Sequence, residues 1–214
     1  MRDIENILLE NPVVPVVALD KVEDTKPLCA ALLEGGITII EITLRTDAAL
    51  DCIATASKNF PEMAVGAGTL LIQDQVTAAM DSGAVFGVSP GMTDALCNAV
   101  YKANFPFLPG GSSVSEFMAN HEAGFSIQKF FPAESSGGIN FLKSLLSPLS
   151  RITFCPTGGI NQTNALSYLS LPNVIAVGGS WFVDIERIKN RDWAKISHDS
   201  RKFLDMILTC KTTD

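Results

Sequence analysis

The sequence predicts an α/β protein, a closed (β/α)8 TIM barrel with a short N-terminal helix, and three observations carry that expectation. Eight short apolar runs rich in β-branched residues recur along the 214 residues. Segments with helical spacing separate them, and strand then helix, repeated, builds a parallel sheet. The runs begin about every 20 to 27 residues, an interval that suits a closed barrel better than an open doubly wound sheet.

The elements follow in order. "RDIENILLE" near the start reads as a short helix closing one barrel end. The strands are "VVPVVAL" from Val13, "ITIIEIT" from Ile37, "MAVGAG" from Met63, "VFGVSP" from Val85, "FPFLPG" from Phe105, "SIQKFFP" from Ser126, "ITFCPTGG" from Ile152 and "VIAVGGS" from Val174. Between the first two, "DTKPLCAALLEGG" places Leu28, Ala31 and Leu32 on one helical face and stops at Gly35 and Gly36. "HDSRKFLDMILTCKTTD" reads as the eighth helix. No linker, low-complexity tract or charge block divides the chain, so residues 1–214 are expected to form one barrel domain.

Composition narrows the function classes. With 47% hydrophobic and 18% charged residues, the chain suits a compact protein whose strands are buried on both faces. A net charge of −7 argues against a nucleic-acid partner, because tracking a phosphate backbone needs an excess of lysine and arginine. Any phosphate bound must sit in a local site. Cys29, Cys52, Cys97, Cys155 and Cys210 are scattered and odd in number, which favours free thiols in a reducing compartment. The N-terminus lacks a signal-peptide pattern, and no apolar stretch approaches the ~18 residues of a membrane span. The chain is therefore read as cytoplasmic, with no membrane partner.

In such a barrel the active site lies at the C-terminal ends of the strands. The polar residues expected there are Glu41, Thr43 and Arg45 on strand two, Thr69 on three, Ser89 and Pro90 on four, and Lys129 on six. Thr157, Gly158 and Gly159 follow strand seven, and Gly178, Gly179 and Ser180 follow strand eight. One glycine pair by itself reads as a tight turn. Two pairs in the loops after strands seven and eight, with a threonine before one and a serine after the other, point to a phosphate held by backbone N–H groups.

Lys129 stands in an otherwise apolar strand. Alternation puts Ile127, Lys129 and Phe131 on one face and Gln128, Phe130 and Pro132 on the other, so Lys129 is expected to point inward. A lysine at a strand end whose head reaches water is the alternative. An amine attacks a carbonyl only when neutral, and desolvation beside Ile127 and Phe131 favours that form. Glu41 would oppose it unless Arg45 offsets the carboxylate. Glu41 itself is either a buried salt-bridge partner of Arg45 or Lys129, or a proton shuttle. His121 and His198 lie far apart and are read as surface residues, leaving no metal-ligand set. Ser112, Ser113 and Ser115 in "PGGSSVSE" are expected to cap the following helix.

"EITLRT", "GAGT", "SPG", "KFFPAE", "CPTGGI" and "GGSW", six strings in order at successive strand ends, together resemble the 2-keto-3-deoxy-6-phosphogluconate aldolases, also called 4-hydroxy-2-oxoglutarate aldolases. The resemblance spans nearly the whole chain. It implies a class I aldolase, a homotrimer of barrels acting on a 2-keto acid to release pyruvate, with no cofactor and no metal. It assigns Lys129 to the Schiff base and Glu41 to the proton transfers. Arg45, Thr69, Pro90 and Phe131 would line the pyruvate half, Thr157 would lie near the substrate hydroxyls, and Gly158, Gly159, Gly178, Gly179 and Ser180 would hold the phosphate. Gly111 departs from the pattern, which has a branched apolar residue in that loop. A phosphosugar isomerase or epimerase, and a non-catalytic phosphate-ligand binding barrel, are the readings set beside it.

Overall fold

The computed structural model describes residues 4–211. Arg2 and Asp3 of the expected first helix, and Thr212 to Asp214 of the expected last one, lie outside the described residues. The chain opens with α1 (Ile4–Glu10), which buries Ile7 and Leu8, followed by β1 (Val13–Val17), α2 (Thr25–Glu34), β2 (Ile39–Thr43), α3 (Ala49–Asn59), β3 (Ala64–Gly68), α4 (Gln73–Asp81), β4 (Phe86–Val88) and α5 (Asp94–Ala103). Next come β5 (Phe107–Leu108), β6 (Gly110–Gly111), α6 (Val114–Glu122), β7 (Ile127–Phe130), α7 (Gly138–Leu145), β8 (Thr153–Pro156), α8 (Ala165–Leu169), β9 (Val177–Gly179), α9 (Ile185–Lys189) and α10 (Trp193–Lys211).

The strands do not join into the closed eight-stranded barrel expected from the sequence. They form a curled six-stranded parallel sheet in the order β5-β4-β3-β2-β1-β9 and a separate three-stranded sheet, β6-β7-β8. Proline explains both interruptions, since it has no N–H to give to a ladder. Pro109 splits the fifth apolar run, so that Phe107 and Leu108 pair with β4 while Gly110 and Gly111 pair with β7. Pro156 ends β8, and isolated bridges, Phe154 with Val174 on one side of it and Thr157 with Gly178 on the other, lead toward the β9 edge.

Strand burial matches parallel strands covered on both sides: all five residues of β2 are buried. One contiguous apolar cluster runs from Ile7 to Ile207. On the outward face of β7, Phe130 meets Phe117 and Phe141, while the Gln128 amide donates to the carbonyls of Phe117 and Phe125 at 3.0 and 2.9 Å. Gln128 thus satisfies buried backbone acceptors among aromatic rings. The inward face is left to Lys129. Ser113 caps α6 as expected, its hydroxyl facing the Glu116 N–H while the Glu116 carboxylate accepts from the N–H groups of Ser112 and Ser113 at 3.0 and 2.9 Å.

Candidate active site

The two candidate catalytic residues are 88 positions apart in the chain, lie on strands of different sheets and meet in the interior. Glu41 occupies the middle of β2, paired in register with Val16 on β1 and Gly66 on β3. Lys129 sits on β7 between Gly110 and Cys155. Lys129 Nζ lies 3.4 Å from Glu41 Oε1, and the residues are 5% and 3% exposed. Of the two cations considered for Glu41, the geometry selects Lys129. Snorkelling to water is not what Lys129 does.

Glycine makes the meeting sterically feasible. A Cβ at Gly68 would lie 2.7 Å from Glu41 Cγ and closer still to Oε1, and a Cβ at Gly66 would collide with the Phe86 ring. The bare third strand therefore gives the carboxylate its space. On the lysine side, Nζ lies 5.3 Å from the centroid of the Phe131 ring. That face attracts a cation but cannot take its proton.

Cys155 lies in register beside Lys129, so its thiol shares the buried surroundings of the pair. Burial pushes it up to about 12, an effect that the Lys129 charge opposes and the Glu41 charge reinforces. The thiol therefore stays protonated. Sequence reasoning treated Cys155 only as a free thiol, although period-two alternation from Thr157 would have turned it inward.

The remaining sequence-predicted residues divide by position. Thr157 is buried, and a Cβ on Gly178 would press on its side chain, 3.2 Å from Cγ2. Gly158 and Gly159 take φ of 97° and 81°, the left-handed region that favours glycine, and a Cβ at Gly158 would meet Pro132 Cα at 3.2 Å and the Phe131 ring at 3.3 Å. The 158–159 turn thus lies directly against the end of the lysine strand. Gly178 and Gly179 belong to β9, where a Cβ on Gly179 would overlap the Trp181 ring, and the exposed Ser180 follows them.

Thr69, half-buried just past β3, has φ 63°. A β-branched residue there costs about 1 to 3 kcal/mol, strain of a kind that gathers at functional sites. Pro90 backs onto Gly110, whose Cβ would collide with the Pro90 carbonyl, and Gly110 is the register neighbour of Lys129. Arg45 is exposed and braced, its Nε donating to the Thr43 hydroxyl at 3.0 Å, which in turn donates to the Val17 carbonyl at 3.0 Å. A braced guanidinium at the rim suits a carboxylate arriving from solvent. His121 on α6 and His198 on α10 are exposed.

Chemically, a buried amine beside a buried carboxylate can form a covalent bond to a carbonyl and move protons on and off the adduct without bulk water. A strand of comparisons agrees with that capacity. The family model for the KDPG and KHG aldolases matches residues 4–198. The 2-dehydro-3-deoxy-phosphogluconate aldolase of Pseudoalteromonas atlantica is 44% identical over 193 residues, 90% of each chain. The KHG/KDPG aldolase of Escherichia coli K12 is 41% identical over 201 residues, 94% of each chain. A crystal structure of KDPG aldolase from Legionella pneumophila, with pyruvate captured at low pH as a covalent carbinolamine intermediate, superposes with a TM-score of 0.91 at 41% identity, covering 93% of this chain and 97% of that one.

Proposed function

Because the chain belongs to the KDPG and KHG aldolase family, we propose that it cleaves 2-keto-3-deoxy-6-phosphogluconate to pyruvate and glyceraldehyde 3-phosphate through a Schiff base on Lys129. The observation that carries this reading is the buried Lys129–Glu41 contact at 3.4 Å. Neutral Lys129 adds to the C2 carbonyl, and the carbinolamine hydroxyl takes up a proton and leaves as water to give an iminium, the proton being released again at the final hydrolysis. Glu41 takes the proton of the C4 hydroxyl as the C3–C4 bond breaks, the bond's electrons flow into the iminium, and the aldehyde leaves. Glu41 returns the proton to C3 of the enamine. Hydrolysis then releases pyruvate and restores the amine.

Residue placement supports assigning the substrate's two ends. Arg45, Thr69, Pro90 and Phe131 are assigned to the pyruvate half, and Thr157 to the hydroxyls of the aldehyde half. Gly158, Gly159, Gly178, Gly179 and Ser180 are assigned to the phosphate, for which bare backbone N–H groups are the natural donors. 4-Hydroxy-2-oxoglutarate is the second substrate in this reading. The homotrimer and the cytoplasmic location implied by the sequence remain parts of the proposal. Among the described residues no helix is long and apolar enough to cross a membrane.

Borohydride reduction in the presence of pyruvate tests the covalent step. One reduced pyruvyl group per chain is expected, on a peptide containing Lys129. An unchanged intact mass overturns the Schiff-base reading.

The phosphate assignment predicts a substrate preference. Charge-assisted hydrogen bonds contribute about 1.5 to 3 kcal/mol each, and a smaller carboxylate leaves some of these donors unmet. The expected kcat/KM for the phosphorylated substrate exceeds that for 4-hydroxy-2-oxoglutarate by at least about tenfold, and Ser180→Ala narrows the gap. Equal values in the wild type remove the phosphate site while leaving the lysine chemistry in place.

A further inference from the structure

Glu134 lies five residues beyond Lys129, where the chain leaves β7 for α7. Its backbone N–H donates to the Gly158 carbonyl at 3.1 Å, beside a bond from the Ala133 N–H to the Thr157 carbonyl at 2.8 Å. A Cβ at Gly159 would lie 2.5 Å from Glu134 Cγ, so the side chain rests on the bare Cα of the turn. From the other side, the phenol of Tyr168 on α8 donates to Glu134 Oε1. Gly138, at φ 56°, leaves the two groups their space: a Cβ there would lie 3.0 Å from the Tyr168 hydroxyl and 3.1 Å from Glu134 Oε1.

Two features separate this contact from ordinary packing. Tyr168 is a fully buried residue, and phenylalanine would fill nearly the same volume without a hydroxyl that needs a partner. Glu134, in contrast, is an exposed residue whose side chain lies against the turn assigned above to the phosphate. Left free to swing, that carboxylate would repel a dianion. Drawn back onto a buried phenol, it holds the turn from behind instead. Burial and the Glu134 contact both push the phenol above its ordinary range, so it remains a proton donor to the carboxylate.

We propose that Glu134 and Tyr168 form a positioning pair that fixes the Gly158–Gly159 turn for the phosphate end of the substrate and takes no part in the Schiff-base chemistry. The inference rests on reading that turn as part of the phosphate site. Glu134 stands in the quoted "KFFPAE" without a role there and Tyr168 was not singled out, because the pairing spans 34 positions.

The test uses Tyr168→Phe, Glu134→Ala and Glu134→Gln in the full-length protein. Steady-state constants are measured for the phosphorylated substrate and for 4-hydroxy-2-oxoglutarate, together with deuterium exchange into the pyruvate methyl. Tyr168→Phe and Glu134→Ala are expected to raise KM for the phosphorylated substrate about three- to tenfold, the range of one lost hydrogen bond. Exchange and the constants for the unphosphorylated substrate stay within about twofold. Glu134→Gln keeps an acceptor oxygen and gives the smaller rise of the two changes at that position. An unchanged KM in Tyr168→Phe overturns the proposal. So does a parallel fall in both cleavage reactions and in exchange, which is the mark of a loosened fold. A wild type without preference for the phosphorylated substrate instead overturns the phosphate reading beneath it.

Discussion

Lys129→Met is expected to lower kcat/KM for aldol cleavage by at least about 10⁴ and to abolish the borohydride-trapped pyruvyl adduct, because among the described residues no other lysine is buried. Methionine is unbranched and apolar, so it fits beside Ile127 and Phe131 without new volume. It does strand the Glu41 carboxylate, which is 3% exposed. Removing one member of a buried ion pair costs about 3 to 5 kcal/mol. A fall in Tm is therefore expected with the single change, and Lys129→Met with Glu41→Gln should recover part of it, since a neutral amide no longer needs a counter-charge. Activity should not recover. If the single or the double variant cleaves substrate within about tenfold of wild type, the nucleophile is another group and the assignment of Lys129 fails.

How far the sequence reaches can be judged from these residues. Alternation set Lys129 on one face with Ile127 and Phe131, opposite Gln128 and Phe130, and left open whether its head reached water; the buried contact with Glu41 closes that alternative. Glu41 was recognised as a buried carboxylate, but its partner was open between Arg45 and Lys129 until the strands were folded. The folded chain decides that question: Lys129 reaches Glu41 from the other sheet at 3.4 Å, while the Arg45 Nε is held by the Thr43 hydroxyl, and the bare Gly68 leaves the carboxylate its space. The closed ring was the expectation that failed. Apolar runs report where strands begin, whereas ladder continuity depends on single N–H groups, and Pro109 and Pro156 remove two of them. The bond from Thr43 to Val17 and the link from Tyr168 to Glu134 join residues 26 and 34 positions apart, spacings that follow no helical or strand period. Nothing in a linear pattern marks such contacts.

Glu41→Gln is expected to slow both cleavage and deuterium exchange into the pyruvate methyl by about 10² or more, with the borohydride adduct on Lys129 still formed. The amide is isosteric with the carboxylate, so the space left by Gly68 receives it unchanged. It can still accept a hydrogen bond from Lys129 Nζ, which lies 3.4 Å from Oε1 in the wild type. What it cannot do is take a proton and return it. Loss of the negative charge also removes the group that favours an ammonium at Lys129, and this works for carbonyl addition rather than against it. The two steps should therefore separate: covalent capture of pyruvate survives while proton transfer at C3 fails. The pair of measurements decides between the roles open to a buried carboxylate. A purely structural Glu41 would leave exchange at the wild-type rate in every folded molecule, and that result would send the search for the base elsewhere. A variant that loses capture and exchange together, with its Tm unchanged, would instead make Glu41 the partner that orients Lys129 for attack.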